Sequence, residues 1–181
     1  MAVRQVALLR GINVGRAKRV AMADLAALVA RLGYTDVRTL LNSGNVVFTA
    51  GNEEPAVSAV RIERELASAL GVSARVTVLS AAKLADAIER NPLLDRAHDP
   101  AKLLVAFLAQ PSDVARLEPL VERDWTPEAV ALGDGVAYLW CPLGVADSRL
   151  GQAISGVLGD AVTSRNWATV LKLRTLAGPA S

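Results

Sequence analysis

The order of apolar segments along the chain limits its possible folds more than any other feature. Short runs rich in apolar and β-branched residues alternate with stretches whose apolar residues recur at helical spacing. Their order is strand, helix, strand, strand, helix, strand, and it begins again after a connecting helix predicted at 81–90. The segment 91–101 separates the two runs, so we predict one half at 1–90 and a second at 91–181, the latter ending in an extra helix.

This order predicts the ferredoxin-like plan in each half. Two strands joined by a helix cross over with right-handed geometry and leave a gap, which a hairpin strand fills. The result is a four-stranded antiparallel sheet with helices on one face. The predicted fold class is therefore α+β, with two ferredoxin-like (βαββαβ-type) subdomains and an additional C-terminal helix. No letter-by-letter match relates the halves, so the duplication is one of architecture.

Individual signals support these elements. In the first half they predict strands at 3–9, 37–41, 46–49 and 72–79, with helices over 22–32 and from Pro55 to Gly71. In the second half they predict strands at 102–109, 129–132, 136–140 and 161–162, and a helix opening at 111–113 and running towards Arg123. A helix capped by Asp147 or Ser148 ends at Gly159, and Thr163 or Ser164 caps the last helix.

Composition excludes several classes of protein. The only cysteine, Cys141, cannot form an internal disulfide, so stability does not require an oxidising compartment. The early apolar run ends at Arg10 and Gly11, well short of a signal-peptide core. No stretch approaches the roughly 20 apolar residues of a membrane-spanning helix. We expect a soluble, cytoplasmic protein that does not interact with membranes.

Charge is distributed unevenly although the net charge is only +2. The segment from Met1 to Ala23 contains five basic residues and no acidic one, and three basic residues follow Asp160, again without an acid. Such acid-free ends predict a local positive field if they meet in space, and chance clustering is the alternative.

The strand order predicts where polar residues converge. In the ferredoxin-like plan the first two strands are parallel and the third lies between them, so the loop after the first strand and the hairpin after the second lie at the same sheet end. Glycines there allow backbone amides to approach a ligand closely, and Arg and Asn side chains supply hydrogen-bond donors for an oxyanion. The predicted start of the last helix adds free amides and a further arginine. The candidate ligand-binding residues are Arg10, Gly11, Asn13, Asn42, Ser43, Gly44, Asn45, Arg165, Asn166 and Lys172.

Each of these residues also has a purely structural interpretation. The Asn-Ser-Gly-Asn sequence at 42–45 is a good turn in its own right. Arg10 is equally suited to a structural ion pair, and Trp167 is better explained as a core residue than as a stacking surface. Only the expected convergence of these residues favours a functional site.

Other catalytic and metal-binding signals are absent from the sequence. The glycine-containing loop at 11–18 lacks the spacing and the Ser or Thr of a nucleotide-binding phosphate loop. His98, the only histidine, lies in a charged loop and does not indicate a catalytic triad. A single apolar-flanked cysteine is usually inert. No spacing of His, Cys or acidic residues predicts a metal, and no cofactor is expected.

Several motifs resemble one protein family. They are 6–15 (VALLRGINVG), 22–25 (MADL), 33–39 (GYTDVRT), 43–48 (SGNVVF), Asn91-Pro92, Leu143-Gly144 and 163–170 (TSRNWATV). These segments resemble the family catalogued as domain of unknown function 1697, across almost the whole chain. The resemblance implies a stand-alone bacterial protein with two ferredoxin-like subdomains, and it implies no activity. The chain departs from the family at Arg16, where a glycine is common, and at Leu40, where an aromatic residue is frequent.

These observations lead to one hypothesis and two alternatives. We expect a protein that binds a small phosphate- or carboxylate-bearing molecule at the rim, and whether it catalyses a reaction is open. The first alternative is RNA binding by a sheet, although Phe48, Tyr138 and Trp140 do not form the paired aromatic pattern of such sheets. The second is a protein–protein interaction module without a ligand.

Overall fold

The computed structural model describes residues 2–96 and 98–179, which form two compact units. The first unit contains the chain up to Ala85 together with the residues from Leu173 onward. The second unit spans Asp86–Lys172. The sequence predicts a boundary after residue 90, and the two compact units divide inside the connecting helix, between Ala85 and Asp86.

The first unit has the predicted order of elements and an antiparallel sheet. Its strands pair in the order β2-β3-β1-β4, so β3 lies between β1 and β2 as the ferredoxin-like plan requires. The elements are β1 (Val3–Leu9), α1 (Met22–Arg31), β2 (Thr35–Leu40), β3 (Asn45–Ala50), α2 (Pro55–Leu70), β4 (Val76–Ser80) and α3 (Ala81–Glu89).

Local sequence explains where the helices of this unit begin and end. Pro55 occupies the first turn of α2, where its missing N–H costs nothing, and Gly71 closes the helix in a left-handed conformation with φ of 64°. Ser80 caps α3 by accepting a hydrogen bond from the Lys83 N–H at 3.1 Å. Leu25, Leu28 and Val29 of α1 are buried in the core under the sheet, as the helical spacing predicts.

The second unit repeats the plan in the order β6-β7-β5-β8, again antiparallel. The predicted helix from Pro111 is mainly a 3-10 helix over Pro111–Leu117 followed by one α-helical turn. A further 3-10 turn covers Leu94–Arg96. The elements are β5 (Leu103–Leu108), α4 (Glu118–Val121), β6 (Ala129–Gly133), β7 (Val136–Trp140), α5 (Arg149–Leu158), β8 (Val162–Asn166) and α6 (Trp167–Ala177).

Two boundaries differ from the prediction. The strand predicted from residue 72 begins at Val76. More consequentially, Thr163 and Ser164 do not cap the last helix, because Val162–Asn166 forms strand β8 along β5, with Thr163 opposite Phe107. The cap is Asn166, whose side-chain oxygen accepts a hydrogen bond from the Thr169 N–H at 2.9 Å. A short polar run that begins with β-branched residues suits either element, and pairing with β5 decides the outcome.

None of the helices in residues 2–96 and 98–179 combines the length and apolar character needed to cross a bilayer.

Candidate functional site

The loop after β1 and the hairpin between β2 and β3 meet at one end of the first unit. The Leu9 N–H donates to the Gly44 carbonyl at 2.8 Å, which fixes the end of β1 against the hairpin. Further out, the Asn13 side-chain amide donates to the Asn42 carbonyl at 2.8 Å. Asn13 and Asn42, which are 29 residues apart in sequence, are therefore in direct contact, as the strand order requires.

Asn13 organises this loop from within. Its side-chain oxygen accepts from the Val20 N–H, and its amide nitrogen donates to the Val20 carbonyl, both at 2.8 Å. The Asn13 N–H donates to the Lys18 carbonyl at 3.0 Å, and Asn13 itself has a left-handed φ of 55°. Both hydrogens of the Asn13 amide are used by Val20 and Asn42. Asn13 therefore shapes the loop and has no amide hydrogen left for a ligand.

The hairpin residues are also held by the fold. Asn45 is fully buried, and its amide donates to the Leu40 carbonyl at 2.7 Å and to the Ser43 hydroxyl at 3.0 Å. Gly44 has a φ of 84° and packs against Ile12 and Leu9 so closely that a Cβ atom has no room. Asn42 and Ser43 are exposed at the tip. Of the four hairpin residues, these two present side chains to solvent.

A cavity of about 370 Å³ lies beside the contact between loop and hairpin. It is lined by Asn13, Arg19, Val20, Ala21 and Asn42. Ala21 is the residue before α1, and it provides no side-chain cap for the first N–H groups of that helix. The cavity thus combines an exposed guanidinium, an exposed amide side chain and an uncapped helix end. Donors of this kind suit an anion.

The charges around the cavity are mainly positive. Arg16, Lys18 and Arg19 are all exposed on the loop, and the first acidic residue of the chain is Asp24. Asp24 lies in the first turn of α1, where it partly offsets the helix dipole. Three bases against one acid leave a positive local field.

The two remaining residues of the predicted loop site anchor its beginning. The Arg10 N–H donates to the Arg75 carbonyl at 2.9 Å, which ties the loop to the residue before β4, and the Arg10 side chain is half-buried. Gly11 is exposed with a φ of 69°, a conformation that side chains other than glycine rarely adopt. These residues set the direction in which the loop leaves the sheet.

The three other predicted residues belong to the second unit. Arg165 and Asn166 end β8, and the last helix starts after them with Asn166 as its cap, so the predicted helix start at 163–164 is wrong. Burial lowers the pKa of Arg165 to about 10, and its guanidinium donates to the Ser164 carbonyl at 3.0 Å. Lys172 is exposed on α6, whereas Arg165 lies in a strand, so the two residues do not lie on one helix. That these three residues join the rim formed by the loop after β1 and the hairpin stays a prediction.

Sequence reasoning missed part of the cavity wall. Arg19 is one of the five bases counted before Asp24 in the sequence, whereas Val20 and Ala21 carried no signal of a site. The available signal was the absence of Ser, Thr, Asp or Asn before Met22, which leaves the start of α1 uncapped. Among the described residues, no group of three or more His, Cys, Asp or Glu side chains is arranged to hold a metal.

Comparison with known proteins agrees with this architecture. A family model described as "Protein of unknown function (DUF1697)" matches residues 3–138. The chain is similar to a solved structure described as that of the conserved bacterial protein SP0830 from Streptococcus pneumoniae. The TM-score is 0.81 at 24% identity, covering 98% of this chain and 100% of the other, which supports the fold alone. No curated protein shows significant similarity to this sequence.

Proposed function

The chain belongs to the DUF1697 family of proteins of unknown function, and we propose that it binds a small phosphate- or carboxylate-bearing molecule in the cavity beside Arg19. The observation that carries the proposal is the coincidence of an exposed arginine with the uncapped start of α1 around one cavity. N–H groups at a helix start point outward along the axis, where they attract anions.

Each donor has a defined role in this proposal. The Arg19 guanidinium pairs with two oxygens of the anion in a fork. The amides at the start of α1 hydrogen-bond a third oxygen, and the exposed Asn42 amide closes the opposite side. Asn13 holds Val20 and Asn42 in place without touching the ligand. The cavity volume suits a metabolite of modest size, since typical ligand pockets measure roughly 300–1,000 Å³.

A phosphate titration followed by amide NMR tests this proposal. We expect saturable shifts in the amides of residues 20–24. Arg19→Ala should weaken phosphate binding about 10- to 100-fold, because a hydrogen bond to a charged group is worth about 1.5–3 kcal/mol and about 1.4 kcal/mol is a factor of ten. Asp24→Asn should strengthen binding, because it removes the negative charge in the first turn of α1. Arg31→Ala makes the same change of charge as Arg19→Ala at the far end of α1, so it should leave binding nearly unchanged.

Two results would overturn the proposal. The first is a lack of phosphate-dependent shifts around the start of α1 in the wild-type protein. The second is an equal loss of affinity in Arg19→Ala and Arg31→Ala, which would indicate general charge attraction without a site. Repeating the titration in higher salt further distinguishes binding at a site from general charge attraction, because the long-range attraction is screened over about 10 Å at 0.1 M salt.

RNA binding through a sheet has less support than anion binding. Such sheets stack bases on exposed aromatic side chains. The strand aromatics Phe48, Phe107, Tyr138 and Trp140 are all buried. The sheets of the described chain therefore offer no aromatic stacking surface. An interaction module without a ligand stays a prediction that no particular contact favours.

A further inference from the structure

The second unit contains a smaller cavity, of about 180 Å³, at the start of α5. It lies where the end of β7, the residue before β6 and the first turn of α5 come together. Its lining residues are Pro127, Glu128, Cys141, Leu143, Gly144, Asp147, Ser148 and Arg149. A carboxylate, a hydroxyl and a thiol thus share one partly enclosed space.

Glu128 is the central polar group of this cavity. It is 8% exposed, and its carboxylate accepts hydrogen bonds from the Ser148 hydroxyl and, at 3.1 Å, from the Arg149 N–H. The Ser148 oxygen in turn accepts from the Gly151 N–H at 2.9 Å and from the Cys141 thiol at 3.4 Å. The hydroxyl is therefore fully engaged and fixes the orientation of Glu128. Each carboxylate oxygen has two lone pairs, so Glu128 can accept further hydrogen bonds.

The charges of the lining favour a cation. Glu128 and Asp147 are acidic, and Arg149 is the only base among the lining residues. The Arg149 Nε atom is 3.9 Å from Glu128, at the edge of ion-pair distance, and its side chain is 66% exposed to solvent. Glu128 is buried, so Arg149 and the positive end of α5 offset much of its charge. The remaining negative charge of the lining is that of Asp147, which is exposed at the rim.

The rim beside these acids is apolar. Leu143 is 74% exposed and Val145 is 41% exposed, both in the loop between β7 and α5. Leu143 lines the cavity itself. A ligand that enters past Leu143 meets an apolar surface first and a carboxylate beneath it. This order of surfaces fits a molecule with a charged head and a short hydrocarbon portion.

We propose that this cavity binds a small molecule with a primary ammonium group, which Glu128 and Asp147 hold while Leu143 contacts the adjoining hydrocarbon. An ammonium group carries three donors and no acceptor, which matches a lining of carboxylate oxygens. The site is separate from the anion cavity of the first unit in its residues, and the proposal does not depend on that one. Glu128 also supports the start of α5 in the absence of ligand, so its structural role must be separated from binding.

Titration with butylammonium chloride, followed by amide NMR near pH 8, tests the proposal. The amine is protonated at that pH, since alkylammonium groups have a pKa of roughly 10. We expect saturable shifts at the amides of Arg149 and Gly151, which hydrogen-bond the cavity groups, and none with 1-butanol or with sodium chloride. Asp147→Asn should weaken binding about threefold, as expected for an exposed ion pair. Glu122→Gln makes the same change of charge on an exposed residue of this unit away from the cavity and should have no effect.

A second variant and a second readout make the result decisive. Glu128→Gln should abolish the saturable shifts, and its unfolding transition shows whether α5 has been lost. Cys141, the only cysteine, is buried, so methyl methanethiosulfonate reaches it only when the cavity opens. Bound butylammonium should slow this modification, which mass spectrometry can follow without ambiguity. Equal shifts with butanol, no shifts with butylammonium, or equal affinity in Asp147→Asn and wild type would each overturn the proposal.

Discussion

The polar side chain of Asn13 is used entirely in hydrogen bonds to backbone groups of other residues. It bonds to the N–H and the carbonyl of Val20 and to the carbonyl of Asn42. Asn45 does the same for the hairpin through Leu40 and Ser43. An asparagine in a loop has the donors that a ligand needs, but it has the same donors that a turn needs. From sequence alone the two uses look identical.

Gly44 is the hairpin residue whose replacement should cost most. A Cβ atom there would lie 2.6 Å from Ile12 Cδ1 and 2.9 Å from Leu9 Cβ, and the φ of 84° is strained for any other residue. Gly44→Ala should therefore lower the free energy of unfolding by about 2–5 kcal/mol, since left-handed strain costs roughly 1–2 kcal/mol and overpacking costs about 1–3 kcal/mol. Urea denaturation of both proteins measures the difference.

Gly11→Ala is the matched control for Gly44→Ala. Gly11 has a similar φ of 69°, but no atom lies within 4 Å of the position that its Cβ would take. It should therefore show only the backbone strain, about 1–2 kcal/mol. Equal losses in the two variants would mean that packing against Ile12 and Leu9 is unimportant and that conformation alone selects glycine in the hairpin.

At the scale of elements, a polar network joins the end of α1 to α2. The Glu53 carboxylate accepts hydrogen bonds from the Tyr34 hydroxyl, from Ser58 at 2.9 Å and from Arg61 at 2.7 Å. Arg61 also donates to the Leu32 carbonyl at 2.6 Å, which satisfies the end of α1. Glu53 is 22% exposed in its side chain, so the network is only partly screened by water.

This network should make stability depend on pH in the acid range. Burial opposes ionisation of Glu53, but the hydrogen bonds from Tyr34, Arg61 and Ser58 outweigh it and hold the pKa of Glu53 below its ordinary value. A lowered pKa in the folded state means that the contribution is complete above the unfolded value, about 4.3, and is lost as pH falls through the folded value. Unfolding free energies measured between about pH 7 and pH 3 should fall more steeply for the wild type than for Glu53→Gln.

Glu54→Gln separates this effect from general acid destabilisation. Glu54 is the neighbouring residue, is exposed, and makes no side-chain cap on α2. Its variant should follow the wild-type pH dependence. The network would be energetically unimportant if Glu53→Gln and Glu54→Gln gave the same curve.

Most elements could be predicted because apolar periodicity and turn residues agree in them. Pro55 and Gly71 delimit α2, and the Gly133-Asp134-Gly135 signal marks the hairpin between β6 and β7. Prediction was wrong at Thr163 and Ser164, where short polar residues resemble a helix cap and only pairing with β5 makes them part of a strand. The cavity of Glu128 was not predicted, because its groups are distant in sequence and Ser148 was recognised only as a cap.

At the scale of the whole molecule, the chain returns to the first unit at its end. Residues from Leu173 onward belong to the unit that also contains the N-terminal strand, although they follow the second unit in sequence. Arg174 therefore shares a unit with the five bases that precede Asp24. Helical periodicity identified a terminal helix here, but it could not indicate that the division between the units falls within this helix, because a buried leucine looks the same in either unit.

Leu173 should consequently matter to the stability of the first unit. It is fully buried, and Leu173→Ala should cost about 2–5 kcal/mol of unfolding free energy. Leu171 is 41% exposed on the same helix, so Leu171→Ala should cost much less. Hydrogen exchange locates the effect: Leu173→Ala should reduce protection in β1 and β3 at least as much as in β5 and β7. A loss confined to β5 and β7 would show that the end of α6 serves the second core, and that the division at residue 173 has no energetic meaning.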